Sequence, residues 1–156
     1  MPPSSEMIPI ITHILENKTW QDFSLREICS FISQSYTLGI GLSSDQDLEQ
    51  TQSTPDCSID RDEWLEIYSN LEEIIPFKHN YAKSSPFETD QHDTEEHDSC
   101  GLLTDIIAEL TEGARIYQHN ESEALCHWQM TFEISWGDKC LILLRALHQY
   151  ISDEGL

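Results

Sequence analysis

Apolar residues recur at helical spacing in five segments of the chain, and no useful length shows the apolar–polar alternation that is typical of a strand. The five predicted helices lie near residues 6–16, from 24 into the stretch "LGIGL" (38–42), and over about 60–75, 99–118 and 121–152. The pattern therefore predicts an all-α fold, a single-domain bundle of about five helices over residues 1–156.

Polar residues mark where these helices begin and end. Capping pairs precede three of the predicted helices: Ser24 with Glu27, Asp60 with Glu63, and Asn120 with Glu123. We expect Gly39 and Gly41 to stop the second helix and Pro76 to end the third. Residues 43–59 and 77–98 are rich in polar side chains and are predicted to be long solvated loops.

The last predicted helix is apolar around most of its circumference. Wound at about 100° per residue, it places one wide apolar stripe on the core side: Leu125, Phe132, Trp136, Cys140, Leu143, Leu147 and Tyr150. The opposite line is mixed: His127, Ile134, Asp138, Leu141, Arg145 and His148. Such a helix is typical of the buried centre of a bundle. We expect Gly137, next to Trp136, to give a neighbouring helix room to approach.

The mixed line has two interpretations. The favoured one is a partly exposed edge on which a carboxylate of another helix satisfies Arg145. The alternative is a shallow partner-binding strip, anchored by Arg145 and carrying His127, Asp138 and His148. The sequence by itself leaves both open.

The charge balance restricts the partners of the protein. There are 29 acidic residues against 8 lysines and arginines, a formal net charge of −21. Direct binding of nucleic acid or of an anionic membrane is disfavoured, because both need basic side chains. A partner protein with a basic surface is favoured, and acids of the third helix, Glu63, Glu66, Glu72 and Glu73, are candidate contacts.

The cysteines and the N-terminus indicate the compartment. Five cysteines without a CxxC pair favour reduced thiols in the cytosol. The N-terminal segment lacks the basic region of a signal peptide, and no apolar run is long enough to cross a bilayer. We therefore expect a soluble cytoplasmic protein.

No catalytic constellation stands out in the sequence. The segment "HDTEEHD" (92–98) contains metal-ligand residue types, His92 and His97 among them, but its predicted loop matches no EF-hand spacing. Cys126 and His127 are adjacent on a helix and so do not face each other. We expect neither a resident metal nor a cofactor, and no enzyme activity.

The leading hypothesis is therefore a protein-interaction domain that neutralises or inhibits a basic partner, as immunity proteins and antitoxins do. Three alternatives remain: a DNA mimic, a metal-dependent hydrolase built on a helical bundle, and a homodimer formed through the last helix. Competition with DNA, elemental analysis and the oligomeric state distinguish them.

Three stretches also resemble an uncharacterised bacterial family of small helical domains of unknown function. They are "RDEWLEIYSNLEEII" (61–75), the "Y…PF" loop after it, and "WGDKCLILLRALHQYI" (136–151). Trp136 and Gly137 match the Trp-Gly pair of that family, and residues 144–148 match its "ALRALH"-like helix end. The resemblance covers about residues 61–151. It implies an all-helical cytoplasmic domain and no particular reaction.

Overall fold

The computed structural model describes residues 3–17, 20–43, 56–75 and 98–156, and all regular elements in these ranges are helical, which confirms the all-α prediction. The elements are α1 (Pro3–Asn17), a 3₁₀ turn (Trp20–Asp22), α2 (Leu25–Ser43), α3 (Arg61–Glu72), α4 (Ser99–Tyr117), α5 (Glu121–Thr131), a π-helical turn (Phe132–Trp136) and α6 (Gly137–Glu154). None of the described helices combines the length and the apolarity that crossing a membrane requires.

The predicted helix starts are formed by the predicted side chains. The backbone N–H of Ser24 donates to Glu27 Oε2 at 2.8 Å, and that of Glu27 donates to Ser24 Oγ at 3.2 Å, a complete capping box. Asp60 Oδ1 accepts from the N–H of Glu63 at 2.9 Å. Asn120 Oδ1 accepts from the N–H of Glu123 at 3.1 Å. Local sequence therefore determines where α2, α3 and α5 begin.

The sequence pattern predicts one regular helix over residues 121–152, but in the structure a π turn interrupts this stretch. The N–H of Gly137 donates to the carbonyl of Phe132 five residues earlier, which is the spacing of a π turn. A Cβ on Gly137 would lie 2.7 Å from that carbonyl oxygen and 2.8 Å from Phe132 Cε2. The prediction that Gly137 makes room for a neighbouring helix is therefore wrong. Its free space is taken by Phe132 of the preceding turn.

The predicted end of α2 is also wrong. The helix continues through Gly39 and Gly41 to Ser43. Gly39 is buried, and a Cβ there would come within 2.1 Å of Phe132 Cδ2. Glycine at this position serves close packing against the π turn rather than a stop, because tertiary contacts outweigh its weak preference against helix.

The core lies around α4, which packs against α1, α3, α5 and α6. Its apolar residues Leu103, Ile106 and Leu110 are fully buried, together with Trp128 and Trp136 from the C-terminal stretch. Phe132, Trp136, Cys140, Leu143 and Leu147 of the predicted core stripe are buried, whereas Leu125 and Tyr150 are half-buried at its edges. Most of the two predicted loops, 43–59 and 77–98, lies outside the described residues, His92 and His97 included.

Candidate functional site

The outward side of α3 is acidic. Asp62, Glu66, Glu72 and Glu73 are exposed and surround Leu65, whose side chain is 42% exposed. The inward side of the same helix packs Leu71 into the core. We call the outward set, Asp62, Leu65, Glu66, Glu72 and Glu73, the acidic face of α3. Because its spacing follows the helical repeat, the side chains project from one side of the molecule.

Glu63, the first of the predicted contact acids, does not belong to this face. Its carboxylate forms a forked pair with the guanidinium of Arg115 in α4, with the oxygens 2.5 and 3.4 Å from the two terminal nitrogens. The hydrogen bond to Glu63 raises the pKa of Arg115 above its ordinary value. Glu63 therefore binds α3 to α4, and Glu66, Glu72 and Glu73 remain as exposed acids.

A second group of carboxylates lies inside the fold. Asp105, Glu109 and Glu112 follow one another along α4 at helical spacing, and all three are half-buried. We call them the α4 carboxylate row. Asp105 accepts from Trp64 Nε1 at 2.8 Å and from Lys139 Nζ at 3.0 Å, so it connects α3 to α6. This row was not predicted, although the three acids are spaced four and three residues apart in the sequence.

The other two members of the row have different environments. Glu109 Oε2 accepts from Ser135 Oγ at 3.1 Å, and burial raises the pKa of its carboxyl. Glu112 Oε1 accepts from the N–H of Ile59 at 2.9 Å, and its other oxygen lies 3.6 Å from His127 Nε2. Burial alone would raise the pKa of Glu112, but His127 and the N–H of Ile59 lower it below its ordinary value. The row is thus a structural seam between helices.

Four of the residues on the predicted mixed line form an outward strip along α6. Asp138, Leu141 and His148 are exposed, and Arg145 is half-buried between them. Ile134 of the π turn, with 76% of its side chain exposed, continues the strip, and Leu141 is 49% exposed. We call these five residues the outer strip of α6. The strip therefore combines two exposed apolar side chains with one acidic and two basic residue types.

His127, the remaining predicted contact on this line, is directed elsewhere. Its imidazole faces Glu112 of α4. The π turn lies between His127 and α6, and its wider winding shifts the register that a regular helix would keep. The structure therefore brings Asp138, Arg145 and His148 together and separates His127 from them.

Residues with metal-ligand chemistry do not converge in the described part of the chain. Within the described ranges, no three His, Cys, Asp or Glu side chains are grouped so that they could hold a metal ion. Asp98, the last residue of "HDTEEHD", caps α4 by accepting from the N–H of Cys100 at 3.1 Å and also accepts from Tyr68 Oη at 2.6 Å. The rest of that segment lies outside the described residues.

Comparisons with known proteins agree with the helical fold. The family described as "Domain of unknown function (DUF5063)" matches residues 10–153, a longer range than the predicted 61–151. The crystal structure of protein BF1032 from Bacteroides fragilis, a structural genomics target, is similar with a TM-score of 0.66 and 15% sequence identity. The similarity covers 96% of this chain and 89% of that one, and at this identity it concerns the fold alone. No curated protein matches the chain.

Proposed function

Because the chain belongs to the DUF5063 family, a family defined by a domain of unknown function, we propose a function from its own surface. The protein is an acidic interaction domain that binds a partner protein with a basic surface. The acidic face of α3 is the main contact. The observation that carries this proposal is the outward grouping of Asp62, Glu66, Glu72 and Glu73 around the exposed Leu65.

The distribution of cations strengthens the negative potential of this face. Arg115 and Lys139, the basic residues of α4 and α6 that approach α3, are both paired with carboxylates, Glu63 and Asp105 respectively. Arg61 at the start of α3 is the one basic residue of that helix. With a formal net charge of −21 for the whole chain, long-range attraction accelerates association with a basic surface.

The exposed side chain of Leu65 favours binding of a protein over non-specific binding of cations. An interface needs an apolar centre that excludes water, with charges at its rim. Leu65 supplies such a centre, because it lies among the acids of the face and is 42% exposed. If the basic surface of the partner is its active site or its binding site, covering that surface inhibits the partner.

The outer strip of α6 is proposed as a second contact region for the same partner. It offers Ile134 and Leu141 as apolar contacts and Asp138, Arg145 and His148 as polar ones. A homodimer through this strip is the competing arrangement. Sedimentation of the purified protein across a range of concentrations distinguishes the two, because only the homodimer gives a mass that doubles as the concentration rises.

The test of the main contact compares two variants of equal charge. In the first, Asp62→Asn, Glu66→Gln, Glu72→Gln and Glu73→Gln neutralise the acidic face of α3. In the control, Glu6→Gln, Glu16→Gln, Asp153→Asn and Glu154→Gln remove four exposed charges from other parts of the surface. Each protein is immobilised and exposed to a lysate of the native host at about 50 mM and about 500 mM salt, which screen charges to different extents.

The proposal expects a basic protein retained at low salt by the wild type and by the control variant, and lost by the α3 variant. Equal retention by both variants would overturn the α3 contact, because it would make total charge rather than this face responsible. If duplex DNA displaces the retained protein, that protein is a DNA-binding one and the acidic face acts as a DNA mimic.

Leu65→Ser tests the apolar centre of the face. This variant should bind the partner more weakly, and its binding should still depend on salt.

A further inference from the structure

A small cavity opens where three helices and the 3₁₀ turn meet. Its floor is apolar and is formed by Leu15 at the end of α1, Trp20 of the 3₁₀ turn, Ile67 of α3 and Ile107 of α4. Leu15, Trp20 and Ile107 belong to the buried core. The volume is about 70 Å³. One water needs about 10–15 Å³ measured in the same way, so the cavity has room for roughly five groups of that size.

The polar groups around this floor are mainly acceptors. Thr111 Oγ1 donates its proton to the carbonyl of Ile107 at 2.7 Å, so its lone pairs are directed away from the helix backbone. The carboxylate of Glu66 and the amide of Asn70 line the cavity as well, and neither has a partner in the described part of the chain. Glu63 and Arg115, which also line it, neutralise each other. The cavity therefore carries a net negative charge from Glu66.

We propose that this cavity binds a primary ammonium group carried on a short apolar stem. The stem lies on Trp20 and Ile107, and the ammonium group donates to the Glu66 carboxylate, with Asn70 and Thr111 as further acceptors. An ammonium group has three donors and no acceptor, which matches this lining. A carboxylate ligand would be repelled by Glu66, and Arg115 would not offset this repulsion because it is already paired with Glu63.

The indole of Trp20 adds a second reason for this class of ligand. Trp20 is 4% exposed and is held by edge contacts with Phe23 and Phe31 at 5.2 Å, so it forms a rigid wall. Such a wall gives the apolar stem of the ligand a fixed apolar surface to lie on. Two sources supply the required group: a free small amine, and a lysine side chain of another protein. The inference goes beyond the proposed function, because a free amine can bind here whatever the acidic face of α3 contacts.

The test uses n-butylamine, which has the dimensions of a lysine side chain, against butyrate and 1-butanol. Binding is followed by protein NMR through the indole N–H of Trp20 and the methyl groups of Leu15, Ile67 and Ile107. We expect saturable shifts of these signals with n-butylamine at millimolar concentration. For the other two compounds we expect dissociation constants at least about tenfold larger. Equal binding of all three compounds would overturn the proposal, since the cavity would then select apolar stems alone.

Variants separate the site from the general attraction of an acidic protein for cations. Glu66→Gln should weaken n-butylamine binding by about tenfold, the value of a charged hydrogen bond. Glu72→Gln, on the same helix and outside the cavity, should change it less than about twofold. Equal effects of the two variants would contradict a specific site.

Thr111→Leu should fill the cavity and abolish binding. Ile67→Phe is a second cavity-filling variant, to be used if Thr111→Leu impairs folding.

A final comparison identifies the source of the ammonium group. N-acetyl-lysine methylamide carries the same butylammonium group on a peptide backbone. If it binds as well as n-butylamine does, a lysine side chain of a protein can reach the cavity. If n-butylamine binds and the lysine derivative does not, the mouth excludes a backbone and the ligand is a free amine. No shifts with either compound would overturn the proposal.

Discussion

The indole of Trp128 lies directly against Gly113, one helix away. A Cβ added to Gly113 would meet Trp128 Nε1 at 1.8 Å, and that nitrogen donates to the carbonyl of Leu110 at 3.1 Å. Both residues are buried. The absence of a side chain at position 113 thus determines how closely α5 packs on α4, the helix at the centre of the core.

Gly113→Ala should therefore destabilise the protein although alanine favours helix. Overpacking of this kind costs about 1–3 kcal/mol, more than the roughly 1 kcal/mol that alanine gains over glycine within a helix. Gly101→Ala in the same helix is the control, because its Cβ would meet Asp98 at an ordinary 3.5 Å. Urea unfolding measures both variants. Unfolding free energies that rise equally in the two variants would contradict the close packing at Gly113.

The register of α6 predicts opposite outcomes for two leucines that are two residues apart. Leu143 is fully buried, so Leu143→Ala should cost about 2–5 kcal/mol. Leu141 is 49% exposed, so Leu141→Ala should stay within about 0.5 kcal/mol of the wild type. Thermal unfolding of both variants tests the register. Similar losses at the two positions would contradict the placement of the outer strip.

The buried carboxyl of Glu109 should make stability depend on pH. Because burial raises its pKa, the folded state favours the protonated form of this group more than the unfolded state does, and its stabilising contribution is greatest below the unfolded pKa of about 4.3. That contribution is lost as the pH rises through the folded pKa. Glu109→Gln keeps an acceptor for Ser135 without the charge, so it should be more stable than the wild type at pH 7 and show a smaller difference at pH 4.

Glu112→Gln should behave in the opposite way, and it serves as the matched comparison. The pKa of Glu112 is lowered in the folded state, so its contribution is present above the unfolded pKa of about 4.3 and is lost as the pH falls through the folded pKa. The glutamine variant should be less stable than the wild type at pH 7, and the difference should shrink in acid. Urea unfolding from pH 3 to pH 7 records both effects, and parallel curves for the two variants would contradict these assignments.

The cysteines should differ sharply in reactivity. Burial, and secondarily the charge of Glu109, raises the pKa of the Cys140 thiol to about 12, and its side chain is fully buried. Cys57 and Cys126 are only half-buried. Alkylation by iodoacetamide at pH 8, read by peptide mass spectrometry, should label these two first and leave Cys140 unlabelled until denaturant is added. Early labelling of Cys140 in the native protein would contradict its burial.

Local features of the fold were predictable because local physics decides them. The capping box of Ser24 and Glu27 involves residues three apart, and both predicted hydrogen-bonding partners are confirmed. The apolar period likewise identified Trp136, Cys140 and Leu147 as core residues. The family resemblance rested on residues 61–75, the loop after them and residues 136–151, and the match over residues 10–153 confirms the family.

The candidate surfaces were predictable only in part. Glu66, Glu72 and Glu73 are exposed, as a contact role requires, but Glu63 of the same helix is engaged by Arg115, 52 residues away. The π turn, which separates His127 from the outer strip of α6, has no signal in the apolar period alone. The cavity beside Glu66 arises from four elements that are distant in sequence.

The sequence by itself determined the helical class, the starts of α2, α3 and α5 and the strong negative charge, because each depends on neighbouring residues or on composition. Tertiary structure alone decided which acids face solvent, which pair with cations, and where an apolar floor meets the carboxylate of Glu66. The physical reason is that burial and ion pairing depend on which helices pack together. Gly39 shows the difference most clearly: its sequence context suggests the end of a helix, and its position against Phe132 makes it part of the core.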